Sequence, residues 1–112
     1  MKQEITAGKL LRVFVDEDDR WQGKPLYAAI VEALQSAGFT GATVLKGIEG
    51  YGAHNAVHSA RAIDFSRNLP VLVEVMDEEA RVLAFIPTLR EMISEGLITL
   101  ENVQMLRFSK EQ

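Results

Sequence analysis

The sequence of 112 residues contains no cysteine and only one tryptophan. Without cysteine it can form no disulfide, no zinc–thiolate site and no thiol nucleophile. It has no run close to the roughly 20 apolar residues that a membrane helix needs, and residues 1–9 show no secretory signal. Basic residues are few, since 12 Lys and Arg stand against 16 Asp and Glu, giving a net charge of −4. We expect a cytoplasmic protein that does not insert into membranes and has no broad nucleic-acid surface.

The residues that are present suit one domain spanning 1–112, because 47% hydrophobic and 25% charged residues is an ordinary globular composition. Apolar and β-branched clusters predict strands at 9–15, 42–48, 69–76 and 103–108. Helical spacing predicts a first helix from Pro25, closed by Gly38. A second helix should follow Asp77, kink at Pro87 and end at Gly96. Its predicted buried stripe is Val82, Ile86, Leu89 and Ile93.

The resulting order, β-α-β-β-α-β, predicts an α+β ferredoxin-like sandwich, an antiparallel sheet with two helices on one face. Right-handed crossovers make the first and second strands parallel, and likewise the third and fourth. Loops 16–24, 50–52 and 95–102 should therefore meet at one end of the sheet. We expect any site built from loops to lie there.

A glycine cluster, Gly47, Gly50 and Gly52, follows the second strand. It matches neither the Walker pattern nor G-x-G-x-x-G. Glycines of this kind either form an anion-binding nest of backbone N–H groups or simply bend the chain as it leaves the sheet. The segment 51–68 that follows is long for a hairpin connection, so we interpret it as a protruding, mobile loop.

Two histidines in this segment raise the question of metal binding or catalysis. His54 and His58 have i, i+4 spacing, but no third ligand and no H-E-x-x-H pattern accompanies them, which favours solvated side chains. His58, Ser59 and Asp64 contain the residue types of a hydrolase triad without its G-x-S-x-G elbow. We predict no catalytic residue and no metal ligand, and hence a protein that is not an enzyme.

The loop before the first helix carries cations and an aromatic ring. Arg20 and Lys24 precede a helix N-terminus, which favours anions. Trp21 can stack on a purine ring or can cover the core as a structural lid. Residue types alone leave both interpretations open.

Three motifs together resemble the PII-like family known as domain of unknown function 190: "DRWQGKPLY" (19–27), "GATVLKGIEGYG" (41–52) and "VHS" (57–59). The resemblance runs from about residue 9 to residue 108. That family is similar to the PII signal-transduction proteins, ferredoxin-like homotrimers that bind small effectors, typically adenine nucleotides, in clefts between subunits. The resemblance implies the same fold, a homotrimer and an adenine nucleotide effector for this chain, with no other cofactor.

The resemblance also implies roles for particular residues. Gly50, Tyr51 and Gly52 match the base of the PII T-loop, whose backbone borders the nucleotide. The T-loop binds enzymes and transporters, so the corresponding loop here is expected to bind a protein partner through His54, Asn55, His58, Ser59 and Arg61.

One PII feature is missing, because residues 94–102 lack the Gly-Lys-x-Gly phosphate grip. We infer a smaller or less charged nucleotide, bound by Arg20, Trp21, Lys24 and Arg107 beside the glycines. The alternatives are a metal-binding trimer like the CutA proteins, an enzyme acting on a nucleotide, and a structural trimer whose loop binds a partner without an effector.

Overall fold

A computed structural model describes residues 1–51, 58–59 and 68–111, with backbone only for 58 and 59. Its helices are α1 (Leu26–Ser36) and α2 (Glu79–Met92). Its strands are β1 (Lys2–Asp16), β2 (Arg20–Trp21), β3 (Lys24–Pro25), β4 (Thr43–Lys46), β5 (Glu49–Gly50), β6 (His58–Ser59), β7 (Pro70–Asp77) and β8 (Leu97–Ser109).

The main sheet has the strand order β4-β7-β1-β8, with every neighbouring pair antiparallel. This confirms the predicted ferredoxin-like arrangement, in which each helix connects two parallel strands that flank a third. Alternate residues of the two central strands, such as Leu11 and Val13 on β1 and Val73 on β7, face the helices and are almost completely buried. The core therefore lies between one face of the sheet and the two helices.

The buried stripe of α2 differs slightly from the predicted one. Val82 and Leu89 are buried as expected, but Phe85 and Met92 complete the stripe, while Ile86 and Ile93 are only half-buried. The helix is continuous through Pro87 and ends at Met92, so the prediction of an end at Gly96 was wrong. Phe85 instead meets Phe39 edge to face, with ring centroids 5.4 Å apart, which packs this side of α2 against the residues that follow α1.

The first and last strands are longer than predicted. β8 starts at Leu97 rather than residue 103, because Leu97 to Leu100 pair with Phe14 to Leu11 of β1. The predicted 95–102 loop is therefore mostly strand, and only residues 93–96 connect α2 to the sheet. At the other end, residues 2–8 pair with 103–109 beyond the last residue of β7, forming a two-stranded ribbon. Its alternation of polar and apolar residues serves no core within one chain.

Candidate functional site

The ends of β1 and β4 meet at one end of the sheet, as topology predicted, and the start of β7 lies between them. The Glu17 N–H, just after β1, donates to the Leu69 carbonyl at 2.9 Å. The Gly47 N–H, just after β4, donates to the Pro70 carbonyl at 2.7 Å. Both neighbours of β7 are thus held by backbone hydrogen bonds to the residues where β7 begins. We call this set of residues, 16–19, 46–51 and 68–70, the strand-end site.

Two of the three glycines are required here for close packing. A Cβ built on Gly47 would lie 2.7 Å from Cγ of Pro70, and one built on Gly50 would lie 3.0 Å from the same atom. Neither position has a positive φ, so crowding by Pro70 rather than backbone conformation selects glycine. This close packing against β7 is a third role, beside the nest and the bend considered for the cluster.

An ion pair joins two of the strand ends and was missed from the sequence. Nζ of Lys46 lies 2.5 Å from Oε2 of Glu17, and the two side chains are 53% and 24% exposed. Lys46 is the last residue of β4, directly before Gly47. Topology alone could have found the pair, because it placed the ends of the first two strands together. Lys46 therefore adds a cation to the strand-end site.

The same site is otherwise acidic. Residues 16–19 are four consecutive carboxylates, and Oδ2 of Asp19 accepts the Asp16 N–H at 2.9 Å, which folds this row into a tight turn. The Asp18 N–H donates to Oδ1 of Asn68 at 3.2 Å and so holds the turn against the start of β7. An anion that approached this turn would be repelled unless a cation stood between them.

Trp21 and Lys24 lie on the helix layer rather than beside the glycines. Trp21 lines an open groove of about 310 Å³ between α1 and α2, together with Ala29, Ala33 and Met92. Nζ of Lys24, at the rim of this groove, pairs with the carboxylate of Glu32 at 3.1 Å. Trp21 also packs against the core cluster, which is the structural role left open above.

The other predicted effector residues divide between the two ends of the sheet. Arg20 is exposed in the loop that follows the acidic turn, and Tyr51 is 69% exposed directly after Gly50. Arg107 pairs with Glu4, twelve residues before the end of β1. At ~3.3 Å per residue this places Arg107 about 40 Å from the strand-end site of its own chain. One chain therefore brings Arg20, Gly50 and Tyr51 to one end and leaves Arg107 at the other.

Much of the predicted partner loop lies outside the described residues. This applies to His54, Asn55 and Arg61, and also to Gly52 of the predicted effector site, and the roles of all four stay predictions. The backbone of His58 and Ser59 pairs with Gly50 and Glu49 in a short ladder. Within the described ranges no cluster of three or more His, Asp or Glu side chains suits a metal ion. Neither helix found in those ranges is long and apolar enough to cross a membrane.

The sheet face opposite the helices is largely apolar and, in one chain, uncovered. Phe14 and Leu97 are directly opposite each other on this face and are 40% and 60% exposed. Beside them Arg12 donates to Glu74 at 2.9 Å and to Glu101 at 2.5 Å. The hydrogen bond to Glu74 is the main cause that raises the pKa of Arg12 above its usual value. We call this surface the open sheet face.

Comparison with known sequences gives a family match over most of the chain. The family model DUF190, described as "Uncharacterized ACR", matches residues 8–105. A UPF0166 protein of Aquifex aeolicus (strain VF5) is 38% identical over 102 residues, covering 91% of this chain and 96% of that protein. A UPF0166 protein of Methanocaldococcus jannaschii is 35% identical over 104 residues, covering 92% and 95%.

Solved structures of PII-like proteins share the fold. A PII-like signalling protein from Thermus thermophilus matches with a TM-score of 0.62 at 16% identity, covering 93% of this chain and 92% of that one. CPII, a nitrogen regulatory PII-like protein from Thiomonas intermedia, was solved with ADP, AMP and bicarbonate. It matches with a TM-score of 0.60 at 17% identity, covering 91% of each chain. At these identities the likeness establishes the fold.

Proposed function

The chain belongs to the DUF190 family, and from this premise we propose that it is a PII-like regulatory protein that binds an adenine nucleotide. The observation that carries the proposal is the meeting of three strand ends beside Gly47 and Gly50, where the half-exposed Lys46 can bind a small anion. The structural neighbour CPII, bound to ADP and AMP, supports the choice of nucleotide. Its description as a regulatory protein supports binding rather than catalysis.

Electrostatics at the strand-end site favours a nucleotide with few phosphates. The acidic turn at residues 16–19 brings several carboxylates to the site, whereas Lys46 and Arg20 supply positive charge among the described residues. Each added phosphate charge increases the repulsion from these carboxylates. AMP or ADP is therefore the expected effector rather than ATP.

The working form in this proposal is a homotrimer in the cytoplasm, with the nucleotide in clefts between subunits. The open sheet face supports self-association, because Phe14, Leu97 and Leu45 expose large apolar side chains there. Arg107 could reach a nucleotide only from a neighbouring subunit, given its place at the far end of the sheet. In this arrangement the effector site is completed by a second copy of the chain.

The response in this proposal passes to a protein partner, an enzyme or a transporter, through the segment that leaves the strand-end site after Tyr51. Tyr51 is largely exposed directly beside Gly50, so a ligand at the glycines would touch the beginning of that segment. A ligand that contacts the first residues of a segment can shift the populations of the segment's conformations.

Isothermal titration calorimetry with AMP, ADP, ATP and cyclic AMP tests the proposal. We expect AMP or ADP to bind, and Arg20→Ala to weaken that binding. Lys9→Ala is the matched control, because Lys9 lies seven residues, roughly 23 Å, further down β1 and loses the same charge. Absence of heat from all four nucleotides at millimolar concentration would refute the proposed effector class.

A further inference from the structure

Lys46 was not among the residues that the sequence assigned to the effector. We propose that Lys46 binds the phosphate of the effector and that Glu17 competes with the phosphate for it, so that binding exchanges one ion pair for another. The inference rests on the proposed function, since it assigns the phosphate contact within that site. The carrying observation is the Lys46–Glu17 pair at 2.5 Å across the strand ends.

The backbone positions of both partners are fixed. Glu17 is held through its own N–H to Leu69, and Lys46 is held by the β4 ladder and by the following Gly47 N–H to Pro70. The difference lies in the side chains. Lysine carries its ammonium on a flexible four-carbon stem, while the carboxylate of glutamate has a shorter reach. Lys46 is also the more exposed partner, at 53% against 24%. Lys46 is therefore the partner that moves in the exchange.

The ammonium of Lys46 has hydrogen-bonding capacity beyond Glu17. It carries three N–H donors, and a half-exposed side chain leaves space for a second anion beside the first. A phosphate monoester carries close to two negative charges near neutral pH, compared with one on Glu17. The phosphate is therefore the stronger competitor for the same cation, provided that it can approach Gly47.

The acidic turn gives the exchange its specificity. A phosphate at the strand ends would lie near the carboxylates of residues 16–19, and the ammonium of Lys46 would offset their repulsion. An uncharged ligand in the same position would feel no such repulsion and would gain nothing from Lys46. The contribution of Lys46 should therefore depend on the phosphate and not on the base or the ribose.

The exchange also predicts the direction in which nucleotide affinity changes when Glu17 is neutralised, and a purely structural ion pair would change it in the opposite direction. If Glu17 competes with the ligand, its neutral isostere should release Lys46 and tighten nucleotide binding. If the pair serves only to hold β1 against β4, its loss should loosen the site and weaken binding of every ligand. Glu17→Gln therefore separates the two explanations.

The test is calorimetric titration of ADP, AMP and adenosine into the full chain and its variants. We expect Glu17→Gln to tighten ADP binding about 2- to 5-fold, the equivalent of one half-exposed ion pair. Lys46→Ala should weaken ADP and AMP binding by roughly 10-fold or more while leaving adenosine affinity unchanged. Lys46→Arg should retain most of the affinity, because it keeps the charge.

The matched controls come from the Lys9–Glu79 ion pair, which joins a strand lysine to a carboxylate at 3.2 Å near the other end of the helix layer. Glu79→Gln and Lys9→Ala should leave all three affinities unchanged. Weaker ADP binding in Glu17→Gln, or equal loss of ADP and adenosine in Lys46→Ala, would overturn the inference while the proposed function stands. If the wild-type chain binds neither ADP nor AMP, both fail together. Should Lys46→Ala not fold, Glu17→Gln decides alone.

Discussion

Gly47 offers the sharpest test of how the strand-end site is built. In Gly47→Ala the new methyl carbon would lie 2.7 Å from Cγ of Pro70 and 3.3 Å from its carbonyl oxygen. Favourable carbon–carbon contacts lie at about 3.5–4.0 Å, so the strand ends must separate by several tenths of an ångström or more. Because Pro70 is a rigid ring inside the β7 ladder, we expect a loss of about 1–3 kcal/mol in the free energy of unfolding.

Urea denaturation followed by circular dichroism measures this loss. Gly41→Ala is the matched control, because a Cβ there meets nothing within 4 Å and the backbone needs no positive φ. It should be neutral or slightly stabilising through the unfolded chain. Pro70→Ala removes the ring atoms that the new methyl meets, so the double variant Gly47→Ala/Pro70→Ala should recover at least ~0.5 kcal/mol relative to the sum of the two single changes. A Gly47→Ala protein as stable as Gly41→Ala, or strictly additive changes, would refute the steric explanation.

Three further predictions concern the core, a helix end and the open sheet face. Leu89→Ala should cost about 2–5 kcal/mol in urea denaturation, against less than ~0.5 kcal/mol for Leu83→Ala on the exposed side of α2; similar costs would contradict the assigned stripe. Gly38→Ala should cost about 1–2 kcal/mol, because φ is +89° and its Cβ would lie 2.8 Å from Nη1 of Arg81; an unchanged denaturation midpoint would count against this strain. Leu97→Glu places a charge on the open sheet face and should lower the mass measured by size-exclusion chromatography with light scattering. An unchanged mass in a folded variant would show that this face takes no part in the assembly.

The fold was accessible from the sequence because its signals are local. The helical spacing from Leu26 to Leu34 and the alternation of β7 each follow from a few neighbouring residues. The ends of β1 and β8 were not accessible, because residues 2–8 become strand by pairing with 103–109, and residues 97–102 by pairing with 9–14. Pairing of residues about 100 positions apart leaves little trace in either segment, and residues 2–7 are exposed within one chain.

The sequence predicted which strand ends meet at the candidate site better than it predicted which side chains lie there. Strand directions placed the ends of β1 and β4 together, and the glycine cluster lies where the chain packs closely against Pro70. Trp21 and Lys24 were chosen because they are typical nucleotide-contacting residues, and their role in binding the effector stays a prediction; within one chain Trp21 lines the groove between the helices and Lys24 pairs with Glu32. Lys46 was overlooked inside a motif selected for its glycines, because its partner, Glu17, lies 29 positions away.

Two different interactions connect the strand ends, and they respond differently to a ligand. The backbone hydrogen bonds of Glu17 and Gly47 to β7 are part of the folded sheet, and a small anion has no reason to break them. The Lys46–Glu17 pair is a half-exposed side-chain contact of modest strength, which an anion can replace at little cost. Effector binding should therefore leave the sheet intact and change only the charge that Glu17 presents beside the acidic turn. On this reasoning Glu17→Gln should leave the free energy of unfolding within about 0.5 kcal/mol of wild type in urea denaturation, whereas Gly47→Ala should not. A large loss of stability in Glu17→Gln would show that the ion pair stabilises the fold. Exchange of this pair for a phosphate would then cost a large part of that stability.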